Sequence, residues 1–279
     1  MENLYRNQII LLFKEVYALE KIHGTSAHVG YRGGQLHFPP GGECAVDFAA
    51  LFDFAALREL FAHKGHNNVT IYGEAYGGVQ QKQAWRYGDK LRFAVFEVRV
   101  GEQWLSVPQA EKFATDLGLE FVPYKRISTD LASLDAAMSE PSEQARRNGM
   151  GTQPREGVVL RPLYEFTGPD GARIIAKHKR PEERETAHVR AIVDPALLTV
   201  LTDAGDIAFE WVTDTRLEHV LAKINAPDIR ATKAVITAMV EDVYREGKGE
   251  LVEGKEVEVA IGKRTAQLFH ARLRNSLRE

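Results

Sequence analysis

One cysteine, Cys44, stands in a chain of 279 residues. That leaves no internal disulfide framework and no cysteine-rich zinc site, and a reducing cytoplasm is the expected compartment. Long apolar runs are missing too. Residues 9–13 are too short for the hydrophobic segment of a signal peptide and are followed by charge, and no stretch approaches a membrane span. An excess of charge is absent as well: 36 Lys and Arg face 39 Asp and Glu, a net −3, with an isoelectric point near 6.3. A nucleic-acid partner would have to be held by a local basic patch, not by the field of the whole chain. Repeats and low-complexity tracts are lacking. What is present, 44% hydrophobic and 27% charged residues, is ordinary for a globular protein of one large domain or two.

Apolar patterning divides the chain. Residues 9–13 and 16–19 predict one or two strands, and 26–38 a hairpin turning at Arg32-Gly33-Gly34. Pro39, Pro40, Gly41 and Gly42 predict a loop. Leu57, Leu60 and Phe61 fall at helical spacing in 54–64, a helix stopped by Gly65. A short strand over 69–72 runs into Gly73-Glu74, and 91–100 reads as the clearest strand. Further on come a helix over 108–117, a strand at Phe121-Val122 and a helical insertion over 130–148 broken near Pro141. Strands follow at 156–161 and 172–179. This is a mixed antiparallel α+β pattern, not a βαβ alternation. After about residue 190 helical faces take over: Leu217, Val220, Leu221 and Ile224, then Ile236, Met239, Val240 and Val243, then a helix over 257–277. The expected division is 1–194 and a helical 195–279, near Pro195. The last helix carries Lys263, Arg264, Arg272, Arg274 and Arg278, either a solvated face or a set of phosphate contacts.

Lys21 stands where an apolar run ending at Leu19 meets Gly24. A lysine there can aim its amine into a pocket and act as a nucleophile once its charge is suppressed; a surface lysine before a hairpin is the other reading. A nucleotidyl-transferring lysine, ordinarily protonated near pH 7, requires cationic neighbours, burial or a metal. It also needs positive groups at the reacting phosphate, an apolar plate for the base, and carboxylates for ribose and metal. Candidates exist in strand contexts. Glu74 follows a strand, Phe96-Glu97 lies in another, and Glu156 begins a third. Lys177 and Lys179 share one face of a fourth. Taken singly, each also reads as an edge charge, a core aromatic or a wet strand face.

Their order resembles a known family. Glu20-Lys21-Ile22-His23-Gly24-Thr25 resembles motif I of the covalent nucleotidyltransferases, the superfamily of polynucleotide ligases and messenger-RNA capping enzymes. The Lys-Ile-His-Gly-Thr form is similar to RNA ligases of the phage RNA ligase 2 and kinetoplastid editing-ligase type. Tyr72-Gly73-Glu74-Ala75-Tyr76-Gly77 resembles motif III, and Tyr87-Gly88-Asp89-Lys90 with Phe93-Ala94-Val95-Phe96-Glu97-Val98 resembles motif IIIa. Glu156-Gly157-Val158-Val159-Leu160-Arg161-Pro162 resembles motif IV, and Ile175-Ala176-Lys177-His178-Lys179 motif V. The tail around Trp211-Val212-Thr213 and Val220-Leu221-Ala222-Lys223-Ile224 resembles that family's helical C-terminal module. The implied fold is α+β: an antiparallel-sheet nucleotidyltransferase domain of the ATP-grasp-like ligase kind, then a small all-helical module.

The resemblance implies roles residue by residue. Lys21 would attack the ATP α-phosphorus and hold AMP as a phosphoramidate. Glu20 would lie against the adenine edge and Phe96 on its face. Glu74 would bind the ribose with Glu97 beside it, and His23 would assist departure of pyrophosphate. Glu156 would hold Mg2+ or Mn2+ through water, and Lys177 and Lys179 would contact the α-phosphate, Lys177 close to Lys21. Arg161 would face the phosphates. AMP would then pass to an RNA 5′-phosphate, and that end would join a 3′-hydroxyl, as at a nick in duplex RNA or an RNA-containing hybrid. A DNA nick ligase, a capping guanylyltransferase and a non-catalytic nucleic-acid-binding module are the alternatives; no membrane partner is expected. Two departures from the pattern stand out. The family's Arg after the first hairpin has no counterpart in Leu36-His37-Phe38-Pro39-Pro40-Gly41, leaving Arg32 as the nearest substitute, and the stretch before Lys21 is short enough to suggest an abbreviated strand.

Overall fold

Strand alternation within residues 1–180 resolves into two sheets in the computed structural model, which describes residues 1–38, 45–79, 83–168, 171–183, 185–188, 200–224 and 228–276. In chain order the strands are β1 (Glu2–Asn3), β2 (Glu15–Lys21), β3 (Gly24–Arg32), β4 (Gln35–His37), β5 (Asn68–Tyr76) and β6 (Arg92–Val100). Then follow β7 (Gln103–Trp104), β8 (Glu120–Phe121), β9 (Tyr124–Ser128), β10 (Gly157–Pro162) and β11 (Ala176–Lys179). One sheet runs β1-β11-β10-β2-β9; the other runs β4-β3-β5-β6-β7, with β8 beside β6. Neighbours are antiparallel except β1 with β11 and β6 with β8.

Helices α1 (Ala45–Ala49), α2 (Phe54–His63), α3 (Val107–Asp116), α4 (Leu131–Ser139) and α5 (Glu143–Arg147) complete the first of two compact units, Met1–Arg180. Helix α2 starts and stops as expected. The Asp53 carboxylate accepts the N–H groups of Ala55 and Ala56 at 3.0 and 3.1 Å, and Gly65 leaves the helix at φ +70°. Its Phe61 is fully buried and stacks on Tyr31 of β3 at 4.9 Å between centroids. Val107, Ala110 and Phe113 of α3 share that core with Val95 and Val98 of β6. The hairpin β3–β4 turns at Gly33 and Gly34, both at positive φ as a two-residue hairpin requires.

The second unit, Pro181–Glu279, is helical: α6 (Ala204–Trp211), α7 (Asp214–Ile224), α8 (Thr232–Gly247) and α9 (Lys255–Ser276). The apolar faces read from the sequence meet here, Leu217, Val220, Met239 and Val243 closing on Trp211, Ile261 and Phe269. Arg216, nearly fully buried, is neutralised by Asp242 at 2.6 Å and donates to the Trp211 carbonyl. Within the basic set of the last helix, Arg264 donates to the Val212 carbonyl at 2.9 Å and Arg272 to Glu218 at 3.0 Å, so both are used inside the unit. Helix α6 was not foreseen. The boundary expected near Pro195, the loop at 39–42 and Arg278 lie outside the described residues. No described helix is long and apolar enough to cross a membrane.

Local expectations are corrected at four places. Residues 9–12 form a 3-10 turn and not a strand: the Leu11 N–H bonds back to Gln8 at 2.8 Å, and the turn buries Ile10 while leaving Leu12 85% exposed. β5 continues past residue 72, its partners on β6 skipping Phe96 in a bulge opposite Tyr72 and Gly73, which puts Glu74 inside the strand instead of after it. β11 begins at Ala176, not 172. β2 is not abbreviated; six of its seven residues, Val16 to Lys21, pair with β10.

Candidate active site

Register brings three distant segments together. Lys21, at the end of β2, lies opposite Gly157 of β10, and on the other side of Gly157 lies Lys179 of β11. Leu19, Val159 and Lys177 form the next row along the same face. Gly157 is obligatory between the two lysines. Its φ is +154°, and a Cβ there would sit 2.2 Å from the His178 carbonyl oxygen. Gly24 is constrained for a related reason: a Cβ would come within 2.3 Å of the Ala75 carbonyl and 2.8 Å of Glu74 Cγ. The glycine after Lys21 therefore lets β3 lie directly on the part of β5 that carries Glu74.

Glu156 precedes Gly157 and is buried at the foot of this row. Its Oε2 accepts from Lys21 Nζ at 2.7 Å and lies 3.6 Å from His23 Nδ1, while Lys179 Nζ stands 3.0 Å from Oε1. Burial pushes this carboxyl up, but Lys179, Lys21 and His23 outweigh it and hold Glu156 well below the usual carboxylate range. Glu74 faces the same group and behaves oppositely. Burial, reinforced by Glu156 and opposed by Lys21 and Lys179, pushes it up to about 7. The backbone N–H of His23 donates to the buried Tyr87 hydroxyl at 3.2 Å.

A cavity of about 550 Å³ runs between the sheets, with Leu19, Lys21 and Val159 on one wall and Glu74, Phe96 and Glu97 on the other. Its volume is that of a small-molecule site. The far end is a second ionic cluster. Arg161, four residues along β10 from Gly157 and so about 13 Å away, is completely buried. Its guanidinium donates to the carbonyls of Phe96 and Leu105, both at 3.0 Å, and pairs with Glu165. Arg173 bridges Glu97 at 2.9 Å and Glu165 at 2.6 Å and lies 3.9 Å from the centre of the Trp104 ring.

Lys21, His23, Glu156 and Lys179 thus converge, and Glu74 joins them through the cavity wall. Three expected placements change. Arg161 does not face the end of the cavity that holds Lys21; it joins the two sheets at the opposite end. Glu20 borders the cavity, yet its carboxylate points to the other face of β2, accepting from the Ser142 hydroxyl and the N–H groups of Glu143 (2.9 Å) and Gln144 (3.2 Å). What Glu20 can offer a base edge is backbone. Lys177 stands in the row beyond Lys21, and the lysine that shares the Glu156 carboxylate with Lys21 is Lys179. Arg32 lies at the tip of the β3–β4 hairpin opposite Gln35, eight residues from Gly24, and cannot replace an arginine at this site. Arg173, Glu165, Trp104 and Ser142 were not read from the sequence. Arg173 and Glu97 are 76 residues apart and Ser142 and Glu20 122, so no local spacing signals those pairs; Glu165 lies only four and eight residues from Arg161 and Arg173 and was overlooked.

Among the described residues no cluster of three or more His, Cys, Asp or Glu could hold a metal ion. The Oε1 atom of Glu156 is buried and receives no well-aligned hydrogen bond. One such carboxylate suits a hard divalent cation whose other ligands are water and phosphate oxygens; an all-protein cage is not built here.

The RNA ligase family matches residues 14–179. Similar solved structures include Naegleria gruberi RNA ligase with PPi, at 15% identity and a TM-score of 0.47, covering 65% of this chain and 55% of that one. A variant of the same enzyme with ATP and Mn gives 14% identity and 0.48, and another with AMP and Mn gives 15% and 0.49, each over 65% of this chain and 55% of the other. The chain spans about half the length of these enzymes. No curated protein matches it. With β2 to β11, and so both cavity walls, inside a matched segment that covers more than half of its residues, the chain belongs to the RNA ligase family.

Proposed function

We propose that the protein is an ATP-dependent RNA ligase in which Lys21 carries AMP, and that it joins 5′-phosphate to 3′-hydroxyl ends at nicks in duplex RNA or RNA-containing hybrids. The reading rests on one observation: the row of Lys21, Gly157 and Lys179 over Glu156, at the end of a cavity with an aromatic side chain in its wall. Aliphatic Leu19 and Val159 opposite Phe96 suit the two faces of a purine. More cations than carboxylates at the Lys21 end suit phosphates, where charge builds during transfer.

The steps balance as follows. The unprotonated Lys21 Nζ attacks the α-phosphorus, the N–P bond forms, the bond to the β-phosphate oxygen breaks, and pyrophosphate leaves as one N–H proton passes to solvent. An oxygen of the RNA 5′-phosphate then attacks the same phosphorus; the P–N bond breaks and the amine regains a proton. Last, the 3′-hydroxyl attacks the 5′-phosphorus, loses its proton to solvent and expels AMP. Lys179 and Lys177 would hold the α-phosphate, His23 would stand by the departing pyrophosphate, and Glu74 would meet the ribose. Phe96 would stack on adenine while Glu97 and Arg161 fix the far wall. A magnesium or manganese ion, held by Glu156 through water and completed by phosphate oxygens, would offset the charge of the polyphosphate. The helical second unit would help grip the duplex.

Incubation with α-labelled ATP and a divalent cation should leave label on the denatured protein, and Lys21→Ala should abolish it. Absence of label in the wild type would leave only a binding module. Label from GTP exceeding that from ATP would point to guanylyl transfer, and preference for all-DNA nicks to a DNA ligase.

A further inference from the structure

Between β5 and β6 the described residues 77–79 and 83–91 lie outside the strands, and they are tied to the site. Tyr87 is buried, and its hydroxyl accepts the backbone N–H of His23, two residues beyond Lys21. Its carbonyl accepts from Asn148 at 2.9 Å, and the Gly78 N–H bonds the Gly88 carbonyl at 2.9 Å, closing the limbs of the loop. Ala84–Tyr87 is a single 3-10 turn with Ala84 and Tyr87 buried, so the residue between them on the outer side faces solvent. That residue is Trp85, 58% exposed. It is two residues from Tyr87, so the two Cα atoms are within about 7 Å.

An indole exposed to water two residues from the side chain that holds the His23 backbone is not explained by packing. The Arg86 guanidinium lies 5.9 Å from its ring centre, and Asp89, Lys90 and Arg92, four to seven residues further along, are exposed. A docking protein would ask for a contiguous apolar patch. An aromatic plate set among cations is instead the pattern that receives an unpaired or terminal base while neighbouring charges follow the phosphates. Phe96 cannot serve this purpose, because it lies in the wall of the nucleotide cavity.

We propose that Trp85 is the stacking platform for a base of the RNA end presented to the adenylated lysine, with exposed Lys90, five residues further along, meeting the flanking phosphates. This rests on the ligase reading above and adds an acceptor subsite to it. The test uses the whole chain with Trp85→Leu, Trp85→Phe and Lys90→Ala. All three should take label from α-labelled ATP as the wild type does, which also reports intact folding. Trp85→Leu should weaken binding of a nicked RNA duplex and AMP transfer to it by roughly five- to a hundredfold, the range for loss of one base-stacking contact. Trp85→Phe should recover most of that loss. The dependence of affinity on salt should be unchanged in both Trp85 variants and shallower in Lys90→Ala, because stacking releases no counterions and a phosphate contact does. Wild-type RNA binding and AMP transfer in Trp85→Leu would overturn the proposal, as would equal impairment in the Phe and Leu variants. Failure of the wild type to take label would instead strike the ligase reading itself.

Discussion

The two ends of the cavity are both ionic and both buried, but they are built on different charge balances. At the far end Arg161 and Arg173 face Glu97 and Glu165, two cations and two anions, and the remaining guanidinium donors of Arg161 go to backbone carbonyls. That cluster is complete without a ligand. At the other end Lys21 and Lys179 share Glu156, and Glu74, pushed up to about 7, supplies only part of a second negative charge near neutrality. An incomplete balance costs the apo protein stability, and an arriving polyphosphate would correct it. The closed cluster fixes the distance between the sheets; the open one is where chemistry is expected.

Breaking each end separately should show this. Arg161→Ala should cost about 3–5 kcal/mol in a urea titration, because it leaves the Phe96 and Leu105 carbonyls without their donor and Glu165 with Arg173 alone. Lys179→Ala should cost much less stability, Glu156 keeping Lys21 and His23, but should lower self-adenylation by about 10²–10³-fold. If Lys179→Ala unfolds the protein as readily as Arg161→Ala while labelling stays normal, the distinction between the ends is wrong.

The sequence displayed the open end well and the closed end hardly at all. Lys21, Glu156 and Lys179 are legible because each falls at a strand terminus beside a glycine or in strict alternation, and period-two patterning says which side chains share a face. It does not say which row a residue occupies. That depends on inter-strand register, which is why Lys177 and Lys179 both read as α-phosphate contacts but Lys177, not Lys179, was placed close to Lys21. Arg161 shows the same gap: its strand was read correctly, yet the side chain's destination was set by the carbonyls of Phe96 and Leu105, 65 and 56 residues away, which carry no local signal. Glu74 was read as following its strand because a glycine normally weakens one, whereas here β5 pairs with β3 without a break and with β6 across a bulge at Phe96. Residues 9–12 misled in the simplest way. A run of apolar residues without alternation fits a turn as well as a strand.

A smaller effect distinguishes the two carboxylates of the open end. A carboxyl held above its ordinary value of 4.5 stabilises the fold fully below that value and loses the contribution as pH rises through about 7. Glu74 should therefore make the protein less stable between about pH 4.5 and 7. Glu156, held low, contributes above its ordinary range and loses that only as pH falls through its depressed value, so it adds no slope in the same window. Glu74→Gln should flatten the midpoint-versus-pH curve there, and the difference from wild type cancels the histidines common to both. An unchanged curve would mean that Glu74 is ionised throughout and that the open end is as balanced as the closed one.

The smallest effect concerns the opposite face of β2. Lys21 turns toward Glu156 while its neighbour Glu20 turns away, to Ser142 and the first N–H groups of α5. Burial pushes the Glu20 carboxyl up, and the bonds from Ser142 and from α5, together with Arg155, work against that. Ser142 has two tasks: it caps α5 by accepting the Ala145 N–H at 2.9 Å, and it donates to Glu20. Ser142→Ala should thus cost about 1 kcal/mol, the usual loss for a helix cap, and leave the ATP concentration for half-maximal labelling close to wild type. If Glu20 instead met adenine with its carboxylate, freeing it from Ser142 would change nucleotide affinity more than stability, and the ratio of the two effects decides which face of β2 the nucleotide sees.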